Sequence, residues 1–398
     1  MSGAPMTTLP RAPRRPMLAT LMIASGLSPL AINVFLPSMT SIARDLAVGP
    51  AAVGLGLSLY LAATAAIQLI AGPLSDRFGR RPVILGGMVL FLLGTGLCLM
   101  ASSIETFLIG RVIQAASATG IVLSRAIVRD LYARDQAASM LGYVTMGLAV
   151  APMLGPAIGG AIDTAFGWRA VFWMLGMAGV LTTVLLFFDL SETNRTRGAP
   201  FAAQFRAYGQ LMRAGAFWSH ASVAAFVSAV FFAFLGSAPF IAVDELGMSP
   251  AGYGLWFMLC SVGYITGNFI TGRLSQRIGL RPLMRAGAGV TFLAGLVILA
   301  FFAIGWVTPL TLFGPMMLVG LGSGLSVPTS TAGGVSVRPD AAGAAAGLLG
   351  ALQIGLGAVM SVLAAGLAGT PVAAAALMAF MGLAGVLAAL SVRRERSE

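Results

Sequence analysis

The sequence predicts an all-α integral membrane protein of twelve transmembrane helices arranged as two six-helix bundles, and three observations predict it. Hydrophobic residues make up 58% of the 398 positions and charged residues only 9%, for a mean hydropathy of +0.92. A soluble domain carries about a quarter charged residues, and so little polar surface cannot coat a water-facing globule. The apolar residues are gathered into runs of about 20, the length a bilayer core requires. The second half of the chain also repeats features of the first at an offset of 200 residues.

The runs fall near 17–37, 51–71, 83–102, 106–126, 138–161, 168–188, 217–241, 251–272, 283–303, 308–329, 342–366 and 370–391. They must be helices, because lipid offers no partner to an open backbone group. Arg11, Arg14 and Arg15 before an apolar run have the look of a signal peptide. No small-residue cleavage site closes a short apolar region, however, so this is an uncleaved first span. The expected organisation is a tail (1–16), a first bundle (17–189), a central loop (190–216), a second bundle (217–391) and a second tail (392–398).

All 24 basic residues are arginine, and the net charge is +11. In a soluble protein this balance would suggest nucleic acid. Here the arginines flank apolar runs, so the expected partner is the lipid bilayer and not nucleic acid. Only Arg44 and Arg169 fall in loops of one side and Arg111 within a span; the rest lie on the other side. By the positive-inside rule that side, with both termini, is cytoplasmic. Two cysteines and one histidine are too few for a metal site. The Gly320–Gly324 pattern has no strand before it, so a dinucleotide reading fails. With no catalytic constellation, the chain is not expected to be an enzyme. No cofactor is expected, and protons are the expected coupling ion.

The repeat is clearest where Gly72-Pro-Leu-Ser-Asp-Arg-Phe-Gly-Arg-Arg-Pro82 lies over Gly272-Arg-Leu-Ser-Gln-Arg-Ile-Gly-Leu-Arg-Pro282. Leu46, Pro50, Ala51, Gly54 and Leu55 recur as Leu246, Pro250, Ala251, Gly254 and Leu255. Six helices per half make this a parallel repeat enclosing a midplane cavity, a transporter architecture. In the first copy Gly72 and Gly79 permit close approach and a tight turn. Asp76 is expected near the start of the third span, where a helix N-terminus favours an acid, with Arg77 and Arg80 able to pair with it. In the fifth run, Gly147, Ala151, Gly155 and Gly159 recur every fourth residue beside Gly160. They form a small-residue stripe for close packing, with Pro152 and Pro156 on the neighbouring face.

The segment from Gly72 to Arg81 resembles the cytoplasmic-loop signature of the major facilitator superfamily, and Gly147–Gly160 resembles the Gly-Pro-rich motif of its antiporters. Arg125-Ala-Ile-Val-Arg-Asp-Leu-Tyr132, Ser237-Ala-Pro-Phe240, Leu246-Gly-Met-Ser-Pro250 and Gly347–Gly357 narrow the match. Together they resemble the Bcr/CflA group of drug:proton antiporters, which includes exporters of bicyclomycin and chloramphenicol-type compounds. The resemblance implies a drug exporter with the major facilitator fold.

Arg111 is the clearest residue of the expected pathway. An arginine within a span costs about 2.5–3.5 kcal/mol on the gentler insertion scale, so it faces protein or a wet cavity, or snorkels outward. It resembles the fourth-helix arginine of these antiporters, with Gln114 beside it. Asn33 stands where the resemblance implies an acid, within Asn33-Val-Phe-Leu-Pro37. Its amide takes up no proton but can accept a hydrogen bond from Arg111 or substrate. Glu105 and Asp163 are the nearest acids to serve as proton carriers; each also reads as a solvated helix-end charge. Phe231, Phe232, Phe234 and Phe257 suit either a greasy pocket or lipid-facing packing. Trp168 and Trp306 read as interface anchors, and His220 as an interfacial residue.

The expected function is secondary active transport, as proton-coupled efflux of small hydrophobic drugs by a monomer in a bacterial inner membrane. An uncoupled metabolite exporter or uniporter of the same fold is the alternative, and a membrane enzyme or sensor a remote one.

Overall fold

The computed structural model describes residues 16–132, 134–194, 208–338 and 341–392, and among them all regular structure is helical. Eleven helices or helix runs are long and apolar enough to cross a membrane. They are α1 (Leu18–Asp45), α2 (Pro50–Phe78), α3 (Arg80–Leu99), α4 (Ile104–Leu131), α6 (Trp168–Asp189), α7 (Gly215–Glu245), α8 (Pro250–Ile278), α9 (Leu280–Ala303), α10 (Pro309–Ser336), α11 (Ala342–Gly366) and α12 (Pro371–Ser391). The twelfth crossing is α5 (Arg134–Phe166), of 33 residues. It leaves α4 beside Asp130, which pairs with Arg80 at the start of α3. It ends against Trp168 and Arg169, which bind Asp45 and Ala101 at the opposite end of the bundle.

Most helices overrun their apolar runs, and this corrects the reading of the repeated segment as a loop. The α2 helix continues to Phe78 and α3 starts at Arg80. A single residue turns the chain, because Gly79 adopts φ 105°, a conformation open to glycine and costly to residues with a Cβ. Gly279 does the same between α8 and α9 with φ 83°. Asp76 therefore stands in the last turn of α2 and not at the start of the third span. Two spans are broken. In α1 the helix gives way after Asn33 to a 3₁₀ turn over Leu36–Ser38, where Pro37 lacks an amide hydrogen. In α4 a 3₁₀ turn over Ala115–Ser117 follows Gln114.

Helices pack backbone to backbone through glycine. In the first half, Gly94 and Gly110 let α3 and α4 touch; in the second, Gly263, Gly267, Gly320 and Gly324 interlock α8 and α10. A Cβ at any of these would strike the facing helix backbone. This is how membrane helices gain contact without a hydrophobic drive toward one another.

Candidate functional site

The two halves meet through α2 against α11 and α5 against α8. At the end opposite the arginine-rich loops, Gly160 lies against the Pro250 carbonyl and Gly254 against the Pro156 carbonyl. Thr164 accepts the Ala251 amide hydrogen at 3.2 Å. Gly54 packs on Ala365, and the hydroxyls of Ser58 and Ser361 are 2.6 Å apart. These contacts shut that end. Gly155 and Gly159 face the other way, onto Asn33 and Val34 of α1. Gly147 and Pro152 lie in the middle of α5.

Arg111 is wholly buried. Its Nε donates to the Gly56 carbonyl at 3.3 Å, and Nη1 to the Ala31 carbonyl at 3.4 Å and to Gln114 Oε1. The guanidinium lies between the rings of Phe35 and Tyr60, 4.4 Å from each centroid. Buried cation–π contacts of this kind are worth about 2 kcal/mol. Gln114 is held in turn by Thr95 at 2.9 Å, and the Tyr60 hydroxyl by Ser28 and Ser117 at 3.0 and 2.9 Å. Sequence reasoning missed Tyr60, Ser28, Ser117 and Thr95, whose residue types carry no signal until a buried charge is placed among them.

Asn33 does not join this cluster. Its amide donates to the Pro29 carbonyl at 2.8 Å, and its Oδ1 has no partner. Ala31 and Asn33 are two positions apart on a helix and point to opposite sides: the first carbonyl receives Arg111, while the second side chain faces Gly155 of α5. The expected Asn33–Arg111 hydrogen bond is absent for that reason.

At the arginine-rich end, Asp76 pairs with Arg80 at 2.5 Å and Arg80 with Asp130 at 3.0 Å. The strap after α6 completes the network. Glu192 accepts the backbone amides of Arg80 and Arg81 at 2.9 and 3.3 Å, Asn194 donates to the Asp76 carbonyl at 2.9 Å, and Thr193 to Asp130 at 3.1 Å. The Gly72 carbonyl accepts the Ser75 hydroxyl at 2.8 Å, and the Arg77 guanidinium lies over the Phe78 ring at 5.5 Å.

Glu105 is exposed in the first turn of α4. Asp163 is buried near the end of α5; Ser41 donates to its Oδ2 at 2.7 Å, and its Oδ1 has no partner. Phe234, Phe257 and Phe313 form an edge-on and tilted ring cluster in the second half's core, so the first two are not lipid-facing. Trp168 is likewise buried rather than anchored at the interface, because it packs edge-on against Phe107 and Phe172 and donates to Asp45. Trp306 is exposed, and the His220 ring rests on Gly333 and Gly334 of α10.

Twelve crossings in a parallel repeat, with the two halves in contact at one end, have the architecture of membrane transporters. The chain belongs to the Major Facilitator Superfamily, whose family model matches residues 21–353 and again 237–398. It is 30% identical to the bicyclomycin resistance protein homolog of Haemophilus influenzae, over 87% of this chain and 88% of that protein. It is 32% identical to multidrug resistance protein D of Escherichia coli over 87% of each. The chloramphenicol resistance protein of Pseudomonas aeruginosa is 32% identical, over 83% of this chain and 77% of that one. The fold matches the human organic anion transporter MFSD10 (TM-score 0.71, 18% identity, 96% of this chain and 100% of that one). It also matches a bacterial homolog of the human lysosomal transporter Spinster in an inward-facing, unoccupied conformation (TM-score 0.66, 18% identity, 96% and 98%).

Proposed function

We propose that the chain is a proton-coupled exporter of small, largely apolar drugs and xenobiotics. It acts as a monomer in the bacterial inner membrane, with both termini and the arginine-rich loops in the cytoplasm. The observation that carries this reading is the seam between halves: α5 meets α8, and α2 meets α11, through glycine, serine and alanine. Such contacts are close and rest on backbone and small side chains, with the exposed Arg44–Asp244 pair beside them, so the halves part and rejoin as rigid bodies. Relatives named for resistance to bicyclomycin, to chloramphenicol and to multiple drugs support the cargo class. In this conformation the periplasmic end is shut.

Asp163 is the proton carrier in this scheme. It is a buried carboxylate with one oxygen held by Ser41 and the other unpartnered and free to carry a proton, close to the α5–α8 seam. It supplies on α5 what Asn33 does not supply on α1. Glu105, being exposed, serves as a helix-end charge. No reaction is catalysed, and no cofactor is used beyond the proton.

Accumulation of chloramphenicol in an efflux-deficient host tests this. Expression should lower accumulation severalfold, an uncoupler should erase the difference, and Asp163→Asn should uncouple export from the gradient. Export that ignores the uncoupler would favour the uncoupled exporter instead.

A further inference from the structure

Along the cytoplasmic half of α4, burial is uneven in a regular way. Leu123, Ser124, Ala126, Ile127 and Val128 are buried, whereas Val122, Arg125 and Arg129 are partly or fully accessible. Positions spaced three, then four, apart share one helix face, so these three form a single stripe. Other faces of α4 are occupied. Ser124 donates to the Leu21 carbonyl of α1 at 3.1 Å, Gly120 lies on the Ala24 carbonyl, and Thr119 fills the space beside Gly87 of α3.

The stripe is turned to the other half of the molecule. A Cβ at Gly343 of α11 would lie 3.0 Å from Nη1 of Arg129. Arg125 is one turn deeper on the same face. On α11, Gly343 meets Arg129, whereas Gly347 and Gly350 one and two turns on lie against Gln68 of α2.

Neither arginine has an ion-pair partner among the described residues. The ion pairs among the described residues are Arg44–Asp244, Asp76–Arg80, Arg80–Asp130 and Arg169–Asp45. Asp130, adjacent to Arg129 in sequence, is taken by Arg80 and Thr193. The first turn of α11 contains no acid. Arg111, the other deep cation, is wholly buried with the rings of Phe35 and Tyr60 against its guanidinium; its Nη2 has no partner but is closed off from the path. A partly buried guanidinium without a counter-charge is costly in a membrane protein, and its planar fork matches a carboxylate or similar oxyanion.

We propose that Arg125 is the charge-selecting residue of the transport path. It binds the anionic group of an otherwise apolar cargo, and Arg129, one turn nearer the cytoplasm, draws such anions in. The exporter thus takes anionic amphiphiles in preference to cationic ones. This rests on the export reading above and names its cargo class.

An anionic lipid headgroup would satisfy the same chemistry, so the test separates the two. The full chain is reconstituted in vesicles of phosphatidylcholine alone and in vesicles with added phosphatidylglycerol. Export is measured for carboxyfluorescein (anionic), chloramphenicol (neutral) and tetraphenylphosphonium (cationic). Carboxyfluorescein should be preferred to tetraphenylphosphonium in both lipids. Arg125→Gln should lower carboxyfluorescein export relative to chloramphenicol about tenfold, the loss of one charge-assisted contact. Arg125→Lys should restore most of that ratio and Arg125→Glu should invert it, with thermal stability checking that each variant folds. An unmoved ratio, equal export of the cation, or an effect confined to vesicles with phosphatidylglycerol overturns the proposal. If no compound is exported, the export reading fails first. Carboxyfluorescein anisotropy with the purified protein then decides the matter, since binding lost in Arg125→Gln sustains the anion site and unchanged binding removes it.

Discussion

At Gly79 and at Gly279 the chain makes the same turn, with φ 105° and 83°, and each glycine amide donates to the serine carbonyl four residues back, Ser75 or Ser275. Around these matching backbones the side chains do different things. The first copy is wired: Asp76, Arg80 and Asp130 form a chain of ion pairs, and Glu192 and Asn194 clamp it from the strap after α6. The second copy has Gln276 and Leu280 in those places. What the copies share is the capping of each half's last helix, Arg81 reaching the Phe187 carbonyl at 2.8 Å and Arg281 the Val392 carbonyl at 3.1 Å, to which Arg285 adds the Ala389 carbonyl at 3.2 Å. A deeper position shows the same contrast. The residue 200 places after Arg111 is Thr311, which closes a capping box with Thr308 at the start of α10, while that half's core is filled by aromatic rings. Repetition therefore preserves the turns that let helices pack, and leaves charge free to diverge. The polar wiring is concentrated in the first half.

The largest effect that would break this comparison is at Arg111. Replacing it with alanine strands the Gly56 and Ala31 carbonyls and Gln114, and empties the space between Phe35 and Tyr60. A loss of about 3 kcal/mol or more is expected from orphaned groups and the cavity together. The melting temperature in detergent should fall sharply for Arg111→Ala, and hardly at all for Thr311→Ser, which keeps the capping hydroxyl. Should Arg111→Ala melt like the parent, the buried cluster is not what holds the first half.

Next comes the network itself. Arg80→Leu gives the first copy the residue of the second, releasing Asp76 and Asp130 at once; export should drop about tenfold, as for lost charge-assisted pairs. The reciprocal change Leu280→Arg, even with Gln276→Asp, should do little, because the residues clamping the first copy come from α4 and the strap after α6. Equal losses on both sides would mean the two loops switch alike.

The seam is where the halves should agree. Gly160→Ala and Gly254→Ala each place a methyl against the opposing proline carbonyl. Both should hold the periplasmic end ajar, seen as faster labelling of a cysteine placed at Ser58, and to similar extents. A large difference between them would mean the seam is as lopsided as the wiring.

How much of this was legible in the sequence follows from which forces leave a pattern. Apolar runs and the offset of 200 gave the spans and their pairing, because bilayer thickness and glycine turns act locally. Gly79 as a turn, and Gly155, Gly159 and Gly160 as close contacts, are legible for the same reason. Asp130, Glu192, Asn194 and Tyr60 were not, since each matters only through a partner distant in sequence. Asn33 was misplaced against Arg111 because equal depth in the membrane says nothing about which side of a helix a residue occupies. Trp168 reads as an anchor from its place at a span end, yet Phe107 and Phe172 bury it.

The smallest expected effect sharpens the contrast between ion pairs of equal chemistry and unequal burial. Arg44 and Asp244 bridge the two halves at the end opposite the arginine-rich loops, 3.6 Å apart, with side chains 70% and 49% exposed. Arg80 and Asp130 are 3.0 Å apart at 11% and 23%. Water and salt screen the first pair, and exposed pairs of that kind contribute between about 0 and 1 kcal/mol. Its position nonetheless invites the idea of a latch across the seam. Arg44→Gln and Asp244→Asn, alone and together, should change export by less than about twofold and show no coupling in a double-mutant cycle. The same cycle at Arg80 and Asp130 should show clear coupling, weakening as salt is raised much less than a surface pair would. If Arg44→Gln frees the periplasmic end as Gly160→Ala is expected to, then charge and not close backbone packing closes that end, and the division between a wired first half and a sterically matched seam does not hold.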